Sequence, residues 1–130
     1  MKQYIAISAI AVGGGIGAVS RYLVSNWFLQ VLGPGFPWGT LTINVTGSFV
    51  IGVVLQMAAD RPDFSPYLRL FLATGILGGY TTFSTFAYET LSLGSTNRIV
   101  PALLYSVGSV VVGVAAAILG VVSARMMANG

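Results

Sequence analysis

The stretch Gly78-Gly79-Tyr80-Thr81-Thr82-Phe83-Ser84-Thr85-Phe86 constrains this chain most. It interrupts an apolar run from about Tyr67 to Leu93 with paired glycines and a cluster of hydroxyls. Glycine loses the most backbone freedom on ordering, so Gly-Gly is a weak point in a helix. Thr81, Thr82 and Ser84 carry side-chain oxygens that can cap a fresh helix start. The local expectation is a helix that stops near Gly78 and restarts near Thr82. At membrane depth such a break is tolerated only where it is buried in protein or lines a polar cavity. Two readings stand: an ion or solute site, or a kink that helps helices pack, since glycine is ordinary in membrane helices.

The membrane setting follows from charge. Only 7% of the 130 residues are charged and 55% are hydrophobic, with mean hydropathy +0.86. A soluble domain carries roughly 25% charged residues, so this chain cannot cover a water-facing surface. It contains no cysteine and no histidine. Disulfides, thiolate chemistry, histidine-bearing metal sites and a Ser-His-Asp triad are therefore excluded. No nucleophile–base pair is visible, so an enzyme is not expected. Six basic and three acidic residues give a net charge of +3. The basic residues are scattered, so no nucleic-acid stripe exists. A mild positive balance leans weakly toward anions.

Four apolar runs fit a single membrane domain, with approximate spans 4–25, 38–59, 67–93 and 99–122. About 20 apolar residues suffice to cross the hydrocarbon core. Lys2 followed by apolar residues looks superficially like a leader, but the run continues to Leu32 and reads as a first span, Tyr4 to Ser25. Within it, Gly13-Gly14-Gly15-Ile16-Gly17-Ala18 looks like a dinucleotide loop only on paper, because no strand precedes it. Its four-residue spacing suits close helix packing. Arg21 follows, expected one to two turns from the helix end, either snorkelling or standing at the mouth of an anion path. Asn26 to Pro37 is expected to be a turn region flanked by Trp27 and Trp38.

In the second span Thr40, Asn44, Gly47 and Ser48 share one face. A mid-membrane amide such as Asn44 has two donors and an oxygen to satisfy. Either it makes an interhelical hydrogen bond or it lines a pore. In the third span Glu89 is expected one turn from the helix end, reaching toward the interface. In the fourth, Tyr105 and Ser109 share a face and either line a path or bond to a neighbour. The span count puts both termini on one side, with Lys2, Arg61, Arg69 and Arg125 against Arg21 and Arg98. That excess is a weak orientation signal. So weak a bias leads to the expectation that the chain inserts both ways, allowing an antiparallel dimer, and four short helices, a thin wall around any pore, make a homodimer the natural expectation.

These residues resemble the Fluc/CrcB family of bacterial fluoride channels. The carriers are Gly14 to Ala18 with Arg21-Tyr22, Gly39-Thr40-Leu41 with Asn44 and Gly47-Ser48-Phe49, and above all the Gly78–Phe86 stretch. The likeness covers essentially the whole chain. It implies an all-α integral membrane fold with a broken third helix, in a dual-topology antiparallel homodimer, multi-pass in the bacterial inner membrane. Two fluoride pathways per dimer are implied, with a central structural sodium ion held by the backbone carbonyls of Gly78 and Thr81. Phe83 and Phe86 would line the pathways with their ring edges. Asn44 would be a pore donor, Ser84 and Thr85 a hydroxyl track, and Thr40 a further polar wall. Tyr105 and Ser109 would contribute from the fourth span, and Arg21 would lie toward a vestibule. Fluoride, a second copy and lipid are the implied partners.

The residue chemistry fits that reading. Hydroxyls and an amide can replace the water donors around fluoride, and aromatic edges are electropositive without a trapping charge. Two other functions compete. A proton-coupled small-solute exporter needs an ionisable group deep in the membrane, and only Glu89 is available. A non-conducting structural subunit would use the glycine faces but leave the Thr-Thr-Phe-Ser-Thr-Phe run without a purpose.

Overall fold

The computed structural model describes residues 2–130. Four helical spans, Gln3–Leu32, Trp38–Asp60, Pro66–Ser95 and Ile99–Asn129, are each long and apolar enough to cross a membrane. There is no strand among the described residues. The first, second and last spans are the continuous helices α1 (Gln3–Leu32), α2 (Trp38–Asp60) and, by chain order, α6 (Ile99–Asn129). The third is assembled from pieces. It comprises α3 (Pro66–Arg69), a π-helical stretch Leu70–Leu77, a single turn α4 (Gly78–Tyr80) and α5 (Phe83–Ser95).

Two boundaries differ from the sequence expectation. α1 runs on to Leu32 instead of ending at Ser25, so Asn26 to Leu32 is helical rather than a turn. No glycine or proline lies between Gly17 and Gly33, and isolated polar residues such as Asn26 and Gln30 do not break a helix. The chain turns only at Gly33, whose φ of 73° suits glycine and whose N–H returns to the Leu29 carbonyl. Arg21 consequently stands about three turns from the helix end, not one or two. α6 likewise continues past residue 122 to Asn129, through the helix-favouring run Ser123 to Ala128. Glu89 is six residues short of the end of α5, further inside than expected.

Helices pair through places without side chains. α1 packs along the π-helical stretch and α2 along α6. A methyl group on Gly17 would run into the Ile76 carbonyl, and one on Gly13 would meet the Phe71 carbonyl at 2.6 Å. On the other pair, Gly52 faces the Ala117 carbonyl and Gly120 the Phe49 carbonyl just as tightly. In lipid, where apolar burial gives little gain, such close backbone approach drives helix association. Helix hydrogen bonds close most backbone groups within each span, as the hydrocarbon demands.

The close contacts make a direct prediction. Gly120→Ala forces α6 away from α2 and destabilises the fold by about 1–3 kcal/mol. Gly15→Ala, with open space around it, is nearly silent. Thermal unfolding of the two purified variants in detergent, followed by circular dichroism, checks the contrast.

Candidate functional site

The break in the third span falls at Thr81 and Thr82. Both have extended backbone (φ −77°, ψ 156° and φ −151°, ψ 120°). β-Branched residues favour this conformation. Upstream, the Thr81 N–H and hydroxyl both return to the Leu77 carbonyl, at 2.9 and 2.8 Å. Downstream, the Thr82 hydroxyl caps α5 by accepting from the Thr85 N–H at 3.3 Å. The helix therefore stops slightly later than Gly78 and restarts at Phe83 under a Thr82 cap.

Asn44 of α2 holds the gap open. Its Nδ2 donates to the Thr82 carbonyl at 2.9 Å, and its Oδ1 accepts from the Thr82 N–H at 2.8 Å. Both peptide groups of one extended residue are thus satisfied by one amide side chain. Gly47, one turn on, leaves room for the Thr81 methyl. Of the two readings open for Asn44, the hydrogen bond is observed, and one amide hydrogen remains uncommitted.

This pairing has a consequence for two carbonyls. In a regular helix the Thr82 and Thr85 N–H groups would return to Gly78 and Thr81. Here they are diverted to Asn44 Oδ1 and Thr82 Oγ1. The Gly78 and Thr81 carbonyls lose their regular partners, as carbonyls at a helix end do. Among the described residues no group of three or more His, Cys, Asp or Glu side chains could hold a metal ion.

Past the break, polar groups line up along α5. Thr82 Oγ1 lies 3.5 Å from the Ser84 hydroxyl and donates to Thr85 Oγ1 at 3.0 Å. Phe83 and Phe86 sit 5.7 Å apart, ring centre to ring centre. Phe83 is exposed, at 79%, as are many apolar side chains on the outer faces of these spans. Phe86 packs on Tyr105 at 5.2 Å. Tyr105 is almost fully buried, and its hydroxyl donates to Glu89 Oε2 at 2.6 Å. Buried Thr40 donates to Glu89 Oε1 at 2.8 Å.

Glu89 is the residue that sequence reasoning misplaced. It turns inward and gathers Thr40, Tyr105 and, through Tyr105, Phe86. The signal was its spacing: Thr82, Thr85, Phe86 and Glu89 recur at three- and four-residue intervals on one face of α5. Ser109, one turn beyond Tyr105, has a buried hydroxyl with no hydrogen-bond partner. Arg21 is half-buried on α1 and takes no part in these contacts. A cavity of about 390 Å³ lies against Thr40, Thr85 and Glu89. A second, of about 330 Å³, lies against Tyr105 and Ser109. A third, of about 250 Å³, borders Asn44, Thr81, Thr82 and Phe83.

A chain of four helices long and apolar enough to cross a membrane, the third interrupted at two threonines, belongs to the class of multi-pass helical membrane proteins with a broken span. A family model described as CrcB-like protein, Camphor Resistance (CrcB), matches residues 8–121, and the chain belongs to that family. Among similar curated proteins is the "Fluoride-specific ion channel FluC" of Nitrobacter winogradskyi, 48% identical over 121 residues, covering 93% of this chain and 96% of the relative. The protein of the same name from Agrobacterium fabrum is 45% identical over 121 residues, covering 93% and 97%. That from Rhizobium leguminosarum bv. trifolii is 47% identical over 119 residues, covering 92% and 95%. Four apolar spans in a member of this family make the chain a multi-pass protein of the bacterial inner membrane.

Asn44 anchors the break, so removing it strands the Thr82 N–H and C=O. Asn44→Ala costs about 1–3 kcal/mol, the usual penalty for unpaired buried groups. Faster hydrogen exchange at the Thr82 amide, with amides of α2 unchanged, is the expected signature.

Proposed function

We propose that the chain is a passive, fluoride-selective channel that lets fluoride leave the cell and so lowers its toxicity inside. The observation that carries this reading is the broken third span, where Phe83 and Phe86, tilted at 50° with ring centres 5.7 Å apart, share α5 with the Ser84 and Thr85 hydroxyls, in a chain whose relatives bear the name of fluoride-specific channels. Fluoride is small and strongly hydrated, and a pore must replace its water donors. Ser84, Thr85 and the spare Asn44 hydrogen are donors of that kind. Phenylalanine edges offer weak positive potential. Weak, multiple sites favour passage over trapping.

Further along, Thr40 and Tyr105 each own one hydroxyl proton, and both protons are given to Glu89. An anion passing here takes those donors from the carboxylate and returns them on leaving. Ser109 supplies a buried hydroxyl free to turn toward an ion. Arg21 lies toward the vestibule, where a positive charge raises the local anion concentration.

The functional unit in this reading is an antiparallel, dual-topology homodimer with two pathways. Gly78 and Phe83, on either side of the break, are exposed in the single chain, which leaves room for a facing partner there. A sodium ion fits its centre, because the Gly78 and Thr81 carbonyls are released from helix bonding, and two copies would contribute four such oxygens. Its chemistry is structural: a hard cation neutralising converging carbonyls.

One observation favours a second reading. Glu89, an acid turned into the bundle, is the kind of group a proton-coupled exporter uses. Liposome flux separates the two. Purified protein should release trapped fluoride rapidly with no chloride loss, independent of any pH gradient. Phe83→Ile should slow release by about tenfold or more, since the ring edges make up part of the selective path. Flux that needs a proton gradient, is abolished by Glu89→Gln and survives Phe83→Ile would favour the exporter. Reporter fusions at the termini should be active on both faces of the membrane; a single orientation would defeat the antiparallel dimer.

A further inference from the structure

Phe36 stands where two cavities meet. With Trp38 it lines both the polar cavity beside Glu89 and the apolar cavity beside Ser109. The polar side, about 390 Å³, carries Ser25, Asn26, Thr40, Glu89 and Ser92. The other side, about 330 Å³, opens past exposed Leu104 on the apolar flank of the chain and runs along Leu41, Gly108 and Val112 beside the unpartnered Ser109 hydroxyl.

The ring is held from several directions. It makes a T-shaped contact with Tyr105, 5.4 Å between ring centres and 83° between planes. Trp38 lies 4.7 Å away on another side. Arg98 Nη1 donates to the carbonyl of the adjacent Gly35 at 2.6 Å, fastening the α1–α2 turn to the start of α6. Pro34 and Pro37 flank the segment and fix two of its backbone φ angles. Tyr105 is therefore braced by Phe36 on one side and Phe86 on the other, with its hydroxyl on Glu89.

We infer that Phe36 is an aromatic partition between the two cavities and a positioning residue for Tyr105. It keeps water of the Glu89 cavity away from the Ser109 hydroxyl, as apolar constrictions do when they exclude water from a pore. It also leaves the Tyr105 hydroxyl only one place to point. The Arg98–Gly35 hydrogen bond keeps the partition shut. Its bearing on ion passage rests on the channel reading above, whereas solvent access to Ser109 is measurable without any flux.

The chain has no cysteine, so one introduced cysteine is a clean probe. Ser109→Cys in the full-length protein should react slowly with an anionic methanethiosulfonate reagent. Adding Phe36→Ala should speed labelling by about tenfold or more, as local opening exposes the site, and Phe36→Tyr should restore the slow rate. Ala116→Cys, a buried position elsewhere on α6, should keep its rate in both backgrounds. Arg98→Gln touches neither ring nor cavity wall, and should raise Ser109→Cys labelling even if Phe36→Ala fails to fold. Equal labelling with and without Phe36, equal acceleration at both cysteines, or no effect of Arg98→Gln would overturn the partition. Loss of fluoride flux in the wild type, with the labelling contrast intact, would instead sink the channel reading alone.

Discussion

The bilayer does not tolerate an unpaired peptide group, and the centre of this molecule depends on how one residue escapes that rule. Thr82 is extended in the middle of a span, where neither of its peptide groups follows the helical bond pattern. A single side chain, Asn44, satisfies both. Without it the third span would have to close into a continuous helix or admit water. With it, the break is a fixed object, and its neighbours inherit fixed positions. The Gly78 and Thr81 carbonyls are released, the Thr82 hydroxyl starts a new helix, and Phe83 is thrown outward.

The scaffold that permits this is built from absences of side chains. α1 meets the π-helical stretch, and α2 meets α6, with glycine against carbonyl. These contacts hold the backbone of the third span from behind while its other face stays exposed. The polar residues are then free to serve something other than packing. Glu89 shows this most clearly. An acid in a span would be costly if solitary, and here it collects Thr40 from α2 and Tyr105 from α6, tying the two helices to α5.

Much of this was legible in the residue order, for physical reasons. Four apolar runs and scarce charge dictate spans. Gly-Gly followed by Thr-Thr dictates a break, and its observed place differs only because the Thr81 N–H still reaches the Leu77 carbonyl. The partners of the break were not legible, since Asn44 and Thr82 are far apart in sequence and either role for Asn44 obeyed the same spacing. The length of α1 was misread because polar Asn26 and Gln30 look like a loop, although nothing there breaks a helix before Gly33. Glu89 was misjudged because distance from a helix end says nothing about which way a side chain turns. The wide helix at Leu70–Leu77 left no mark in composition, because it is a matter of backbone hydrogen bonding alone.

That wide helix bears on how the span can change length. A π-helical stretch behaves as an α-helix carrying surplus chain, and such bulges gather at functional sites. It separates the length of the third span from the angular placement of its two ends. Losing one residue between Leu70 and Leu77 would return the stretch to an α-helix and leave α3 in its place, whereas the same loss from a regular helix would swing the preceding turn by about 100°, one residue's share of a turn. The break itself would stay seated on Asn44. The stretch is a slack length in which a one-residue deletion is absorbed while the Thr81–Thr82 break keeps its place.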